Sequence, residues 1–69
     1  MQTLSNVPFS DLRVGDIVKS KITGNTGRIT RLINIENARR RDDNEIFILW
    51  DTGTISCQWH YYYDAVWLF

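Results

Sequence analysis

The sequence predicts an all-β domain of five short strands, and three observations carry that prediction. Short runs rich in apolar, β-branched and aromatic residues recur along the chain. Turn chemistry separates them, most densely at Thr23-Gly24-Asn25-Thr26-Gly27 and Thr52-Gly53. No segment repeats apolar residues at a helical spacing over more than a turn.

Each element follows from its residues. Met1–Val7 is polar and irregular and is expected to be a flexible arm, so residues 1–8 are set apart from a domain spanning 9–69. Ser10-Asp11-Leu12-Arg13 reads as one helical turn capped by Ser10. Strand one is expected over Asp16–Ile22. Its two-residue period puts Val18 and Ile22 on one face and Ile17, Lys19 and Lys21 on the other. Arg28–Ile35 is strand two, and Glu36–Asn44, with its mixed charge, is an exposed hairpin loop. Ile46-Phe47-Ile48-Leu49-Trp50 is a continuous apolar run, as expected of a central strand covered on both sides. Strand four, Thr54–Trp59, alternates Ile55, Cys57 and Trp59 against Thr54, Ser56 and Gln58. His60–Asp64 is a one-turn connector, and Ala65–Phe69 is a closing strand. Strands this short, in a chain this small, suit a small barrel or sandwich, because closure protects sheet edges.

Composition narrows the function classes. A 69-residue domain has a thin core and little room for a cleft with a supporting shell, which favours binding over catalysis. Eight basic residues balance eight acidic ones, so a nucleic-acid site has to be a local patch. The single cysteine, Cys57, and the single histidine, His60, give no disulfide framework and no zinc spacing; no metal or other cofactor is expected. An unpaired thiol suits a reducing compartment. No signal peptide and no membrane-length apolar run is seen, so the expectation is a soluble intracellular protein, cytoplasmic or nucleoid-associated.

Two segments resemble a known family. Leu12-Arg13-Val14-Gly15-Asp16-Ile17-Val18, followed by Thr23-Gly24-Asn25-Thr26-Gly27-Arg28-Ile29, is similar to a KOW motif. Ile48-Leu49-Trp50-Asp51-Thr52-Gly53-Thr54-Ile55-Ser56 resembles the Trp-Asp-x-Gly hairpin of Tudor-like domains. The resemblance implies a five-stranded SH3-like barrel with a short helical turn or 3-10 connector. That superfold hosts nucleic-acid binders, peptide binders and structural subunits alike.

Three groups are candidate sites. Lys19 and Lys21 on strand one, with Arg28 and Arg31 on strand two, form a basic hairpin face suited to phosphates; the bland alternative is a solvated strand surface. Arg39-Arg40-Arg41 is the densest positive charge and can clamp oxyanions bidentately, although Asp42, Asp43 and Glu45 follow at once. Trp59, Tyr61, Tyr62 and Tyr63 form an aromatic cluster that can stack on bases, cage a methylated lysine or anchor a protein partner, and the three consecutive tyrosines cannot all point inward. Trp50 and Trp67 are expected in the core, as is Cys57, a small hydrophobe in phase with Ile55. The Cys57/His60 spacing is no catalytic pair on a strand, and Asp51 and Asp64 are expected to serve turns. The leading expectation is a non-enzymatic module associated with DNA or RNA through the hairpin face and arginine loop. The alternative is a protein-interaction module docking on a larger complex, and a structural subunit pairing through the open edge of the last strand comes third.

Overall fold

The computed structural model describes residues 2–34 and 44–69. It is all-β: β1 (Ile17–Ser20), β2 (Thr26–Ile33), β3 (Glu45–Trp50), β4 (Ile55–Trp59) and β5 (Val66–Leu68). They form one antiparallel sheet in the order β4-β3-β2-β1-β5. Single 3-10 turns occupy Leu4–Asn6, Phe9–Asp11 and His60–Tyr62. No hydrogen-bonded ladder joins β4 to β5, so the sheet is open, consistent with a small barrel-like fold rather than a sealed barrel. Among the described residues no helix is long and apolar enough to cross a membrane.

The turns explain the strand boundaries. Ser20 ends β1 because its hydroxyl accepts the N–H groups of Ile22 and Thr23, each at 3.2 Å, and its carbonyl accepts Gly24 N–H at 3.1 Å. Lys21 and Ile22, expected in the strand, therefore lie in the turn. Asp16 opens β1 from the other side: its carboxylate accepts Arg13 N–H at 2.9 Å, and its carbonyl accepts Ile29 N–H at 2.9 Å. The β3–β4 turn closes on Gly53, whose φ of 89° a side chain would resist. Gly27 serves differently from its expected turn role. It sits inside β2, and a Cβ there would come within 2.9 Å of Ile48 Cγ2, Leu49 O and Trp50 Cε3. The indole of Trp50 lies where that methyl would be, so packing demands the glycine.

One face of the sheet carries the core. Leu4, Leu12, Val18, Ile29, Ile46 and Ile48 are fully buried, each stabilising by about 1.5–3 kcal/mol. Phe9, Leu32, Trp50 and Leu68 pack around them. Two contributors correct the sequence reading. Leu4 and Val7, expected in a loose arm, are core residues. The 3-10 turn after Pro8 starts at Phe9, one residue early, and Ser10 makes no cap bond; the Phe9 carbonyl instead accepts Leu12 N–H at 3.1 Å.

The Gln2–Val7 segment is held by backbone bonds. Leu68 N–H donates to Gln2 O at 2.9 Å and Ser5 N–H to Tyr63 O at 3.2 Å, and Thr3 bridges to Trp67. Its deepest tie is His60, buried, with Nε2 2.6 Å from Leu4 O and its ring edge-on to Phe9. Hydrogen bonding and apolar burial thus act on the same few residues. Asn44, expected exposed, is buried, and its carbonyl accepts His60 N–H at 2.6 Å.

Strand four is inverted relative to expectation. Ser56 faces inward: its hydroxyl accepts the Trp50 indole N–H at 3.0 Å and lies 3.2 Å from the Tyr63 hydroxyl. Ile55, Cys57 and Trp59 consequently point away from the core, and Cys57 is exposed. The physical reason is register. Ile48, an inward residue, is opposite Ser56, so parity across the ladder carries Ser56 inward and Cys57 outward with Phe47. The apolar run of β3 is likewise covered on one side only: Ile46 and Ile48 are buried, whereas Phe47 and Leu49 are half-buried on the outer face.

Candidate functional site

The outer face is built from rows of opposed residues. One row runs Ile17, Arg28, Leu49, Ile55; the next holds Arg31, Phe47, Cys57; a third holds Ile33, Glu45, Trp59. On the other side of Ile17, Lys19 is opposite Trp67 and Thr26. Lys19, Arg28 and Arg31 therefore share one face, with Lys21 just beyond the end of β1.

Arg31 reaches that face through a bulge. The β2–β3 register slips between Ile29 and Arg31, where Thr30 takes up the extra residue. Plain alternation would send Arg31 inward with Ile29. The bulge resets the phase, turning Arg31 outward and Leu32 toward the core.

Two of the cations lie against aromatic rings. Lys21 Nζ is 5.5 Å from the centre of the Trp67 ring, and the Arg31 guanidinium carbon is 5.7 Å from that of Phe47. These distances are in the range of cation–π attraction, which positions the charge while leaving it hydrated. Trp67, expected in the core, is instead half-buried on the outer face, because its β5 position pairs with Lys19 rather than with an inward residue.

The nearby acids are engaged. Asp51 Oδ2 accepts Thr26 N–H at 3.3 Å, and Asp51 N–H donates to Thr26 O at 2.8 Å, so this residue serves the turn. Glu45 Oε2 accepts the Cys57 thiol at 3.2 Å. Desolvation, then the Glu45 hydrogen bond and charge, push that thiol above its ordinary 9.0, with Arg31 pulling weakly the other way. Cys57 is thus held as a thiol, and His60 is committed to Leu4, so the two do not form a nucleophile–base pair. Among the described residues no group of three or more acidic, histidine or cysteine side chains is placed to hold a metal ion.

The tyrosine connector divides. Tyr63 turns in, buried, its hydroxyl donating to Ile46 O at 3.0 Å. Tyr62 turns out at 58% exposure, its ring centre 4.7 Å from that of Tyr61. Trp59 lies at the end of the outer face, partly exposed. Arg39, Arg40 and Arg41, the arginine-loop candidates, lie outside the described residues.

Sequence reasoning put Ile17 on the lysine face but missed that Leu49 and Ile55 join it there. Ile17 is 45% and Ile55 63% exposed, and Leu49 lies between them. A shallow depression of about 260 Å³ opens there, bordered by Ile17, Arg28, Leu49 and Trp50. The unbroken apolar run of β3 was its signal: a strand apolar on both faces either lies under a second layer or presents a surface. A larger cleft, about 810 Å³, lies elsewhere, between Val7–Phe9, Asn34, Asn44 and His60. Among the described residues no charged side chain borders it, and Lys19, Lys21, Arg28 and Arg31 are not part of its lining.

Comparison with protein-family models, with curated proteins and with solved structures finds no match. The reading of this site therefore rests on its own geometry.

Proposed function

We propose that this chain is a small non-enzymatic binding module of the SH3-like, KOW/Tudor-like kind, associated with nucleic acid through its outer sheet face. The strand order and the 3-10 turn between β4 and β5 support that barrel type. The observation that carries the ligand class is the interleaving of Lys19, Lys21, Arg28 and Arg31 with aromatic rings on one face, where the described carboxylates Asp51 and Glu45 are hydrogen-bonded elsewhere. Flexible cations hold phosphates without reading sequence, and exposed rings such as Trp59 and Tyr62 offer π-faces to unpaired bases. Arg39, Arg40 and Arg41 extend the same chemistry in this reading. The setting is intracellular, where such ligands are found.

The test is fluorescence anisotropy of a labelled single-stranded oligonucleotide across a salt series. Binding through about three or four phosphates gives a log–log salt slope of about −2 to −3. The double charge reversal Arg28→Glu/Arg31→Glu, at exposed positions, should abolish binding without changing the melting temperature much. Undiminished binding in that variant removes the outer face from the proposal.

A second reading has its own observation. Ile17 and Ile55 are exposed and, with half-buried Leu49 and the Arg28 stem between them, make an aliphatic stretch of the outer face that contributes nothing to stacking on bases and suits an apolar protein segment. In that reading the module docks on a larger complex, with the same arginines facing acidic groups of the partner and Tyr61 and Tyr62 as further anchors. Binding that survives nuclease treatment and varies little with salt would favour it.

A further inference from the structure

The two edges of the sheet are not alike. The β5 edge, the one expected to be open, is covered: Thr3 bridges to Trp67 and Gln2 O accepts Leu68 N–H. The β4 edge is uncovered among the described residues. Its ladder to β3 shows which backbone groups are spent. His60 N–H donates to Asn44 O at one end, and Trp50 N–H to Thr54 O at the other. In an antiparallel pair, hydrogen-bonded positions alternate, so Gln58 and Ser56 complete the series toward β3. Ile55, Cys57 and Trp59 therefore aim their N–H and C=O groups away from the sheet, and no described backbone group meets them there.

Edge strands are normally blunted by charge, proline or a bulge. β4 has none of these: it reads Ile-Ser-Cys-Gln-Trp, and its register with β3 is unbroken. It is also a chemical palindrome about Cys57, apolar–polar–thiol–polar–apolar. A strand running antiparallel to itself about a two-fold axis opposes like with like in such a sequence.

We propose that β4 pairs with β4 of a second copy of this chain, antiparallel and centred on Cys57, to join two sheets into one. In this register Ile55, Cys57 and Trp59 of each copy exchange backbone hydrogen bonds with Trp59, Cys57 and Ile55 of the other. Ile55 packs against Trp59 across the seam on the outer face, covering two exposed apolar side chains. Ser56 meets Gln58 on the opposite face, hydroxyl to amide. The strand bears no charge to repel its copy. The paired sheets present two copies of the basic face side by side, and the pairing itself does not depend on what that face binds.

The two Cys57 residues would be a directly opposed, hydrogen-bonded pair with Cα atoms about 5.5 Å apart, within disulfide reach. Cys57 is the only cysteine in the chain, so a covalent dimer reports this contact. Sedimentation equilibrium over a dilution series should show the mass doubling toward millimolar concentration. Cys57→Lys places like charges opposite each other at the axis while offering Glu45 a salt bridge, so the fold should persist and the doubling should be lost. Mild copper-phenanthroline oxidation supplies the second readout. The native chain should cross-link at least tenfold faster than the double variant Cys57→Ser/Ile22→Cys, whose thiol also sits at an exposed position but outside β4. A monomeric mass at every concentration, a dimer that persists in folded Cys57→Lys, or equal cross-linking of the two thiols would overturn the proposal. Should Cys57→Lys fail to fold, the cross-linking comparison alone decides.

Discussion

The Arg31 guanidinium lies over the Phe47 ring, 5.7 Å from its centre, although strand alternation counted from Ile29 would point Arg31 into the core. The bulge at Thr30 makes the contact, and it also returns Leu32 to the core. Deleting Thr30 removes only the extra residue and should therefore be tolerated. The deletion leaves Arg31 directly after Ile29, so plain alternation alone keeps Arg31 outward opposite Phe47 and Leu32 inward opposite Ile46, and no charge is buried. Circular-dichroism melts of the deletion variant should show a folded chain with at most a modest fall in melting temperature. Thr30→Ala should be mild, since the side chain is exposed and its bond to Phe47 O is long at 3.4 Å. A deletion variant that fails to fold would contradict the placing of the bulge at Thr30.

Gly27→Ala should destabilise by about 1–3 kcal/mol, the usual range for overpacking. Of the three atoms a Cβ would meet, Leu49 O is backbone and cannot move alone. Urea denaturation of the variant should show a lower midpoint with little change in slope. Gly24→Ala tests a different mechanism, because space is open there and only the φ of 75° is at issue.

Leu4→Ala should cost about 2–5 kcal/mol, as for a fully buried leucine. A loose arm would lose almost nothing, so chemical denaturation separates the two descriptions directly. His60→Ala should also destabilise, by removing the bond to Leu4 O and the edge contact with Phe9.

Tyr63→Phe should cost about 1–2 kcal/mol, since it leaves Ile46 O short of the Tyr63 donor. It should also change the alkaline limb of stability. Burial pushes the Tyr63 phenol above its ordinary 10.0, against a smaller opposing pull from the Ser56 hydrogen bond. The folded chain then holds its proton where the unfolded chain has lost it. This contribution is full below pH 10 and declines as pH rises from there through the raised folded value. Melting temperatures measured across that window should fall more steeply for the native chain than for Tyr63→Phe. Parallel curves would show that Tyr63 is not the group responsible.

Much of the architecture was legible in the residues. Gly24 and Gly53 marked turns that the structure keeps, and the β-branched and aromatic runs marked β2 and β3. The candidate site was legible in part. Lys19, Lys21, Arg28 and Arg31 could be named, but only the bulge puts Arg28 and Arg31, three positions apart, on one side. Ile17 was legible on the lysine face, but Leu49 and Ile55 on the same face were hidden because apolar residues on a strand are assigned inward unless pairing says otherwise.

Local preference determines strands and turns, because φ/ψ sterics, side-chain branching and glycine act over a few residues. Alternation determines that neighbouring side chains point to opposite faces. It does not say which face meets the core. For β4 that choice fell to tertiary structure: register against Ile48, and the hydroxyl of Ser56 placed to meet Trp50 and Tyr63, turned the polar residue inward and left Ile55, Cys57 and Trp59 outside. The burial of Leu4 was decided the same way, since its partners, His60 among them, lie far along the chain. Parity and long-range contact are properties of pairing, and only the folded sheet supplies the pairs.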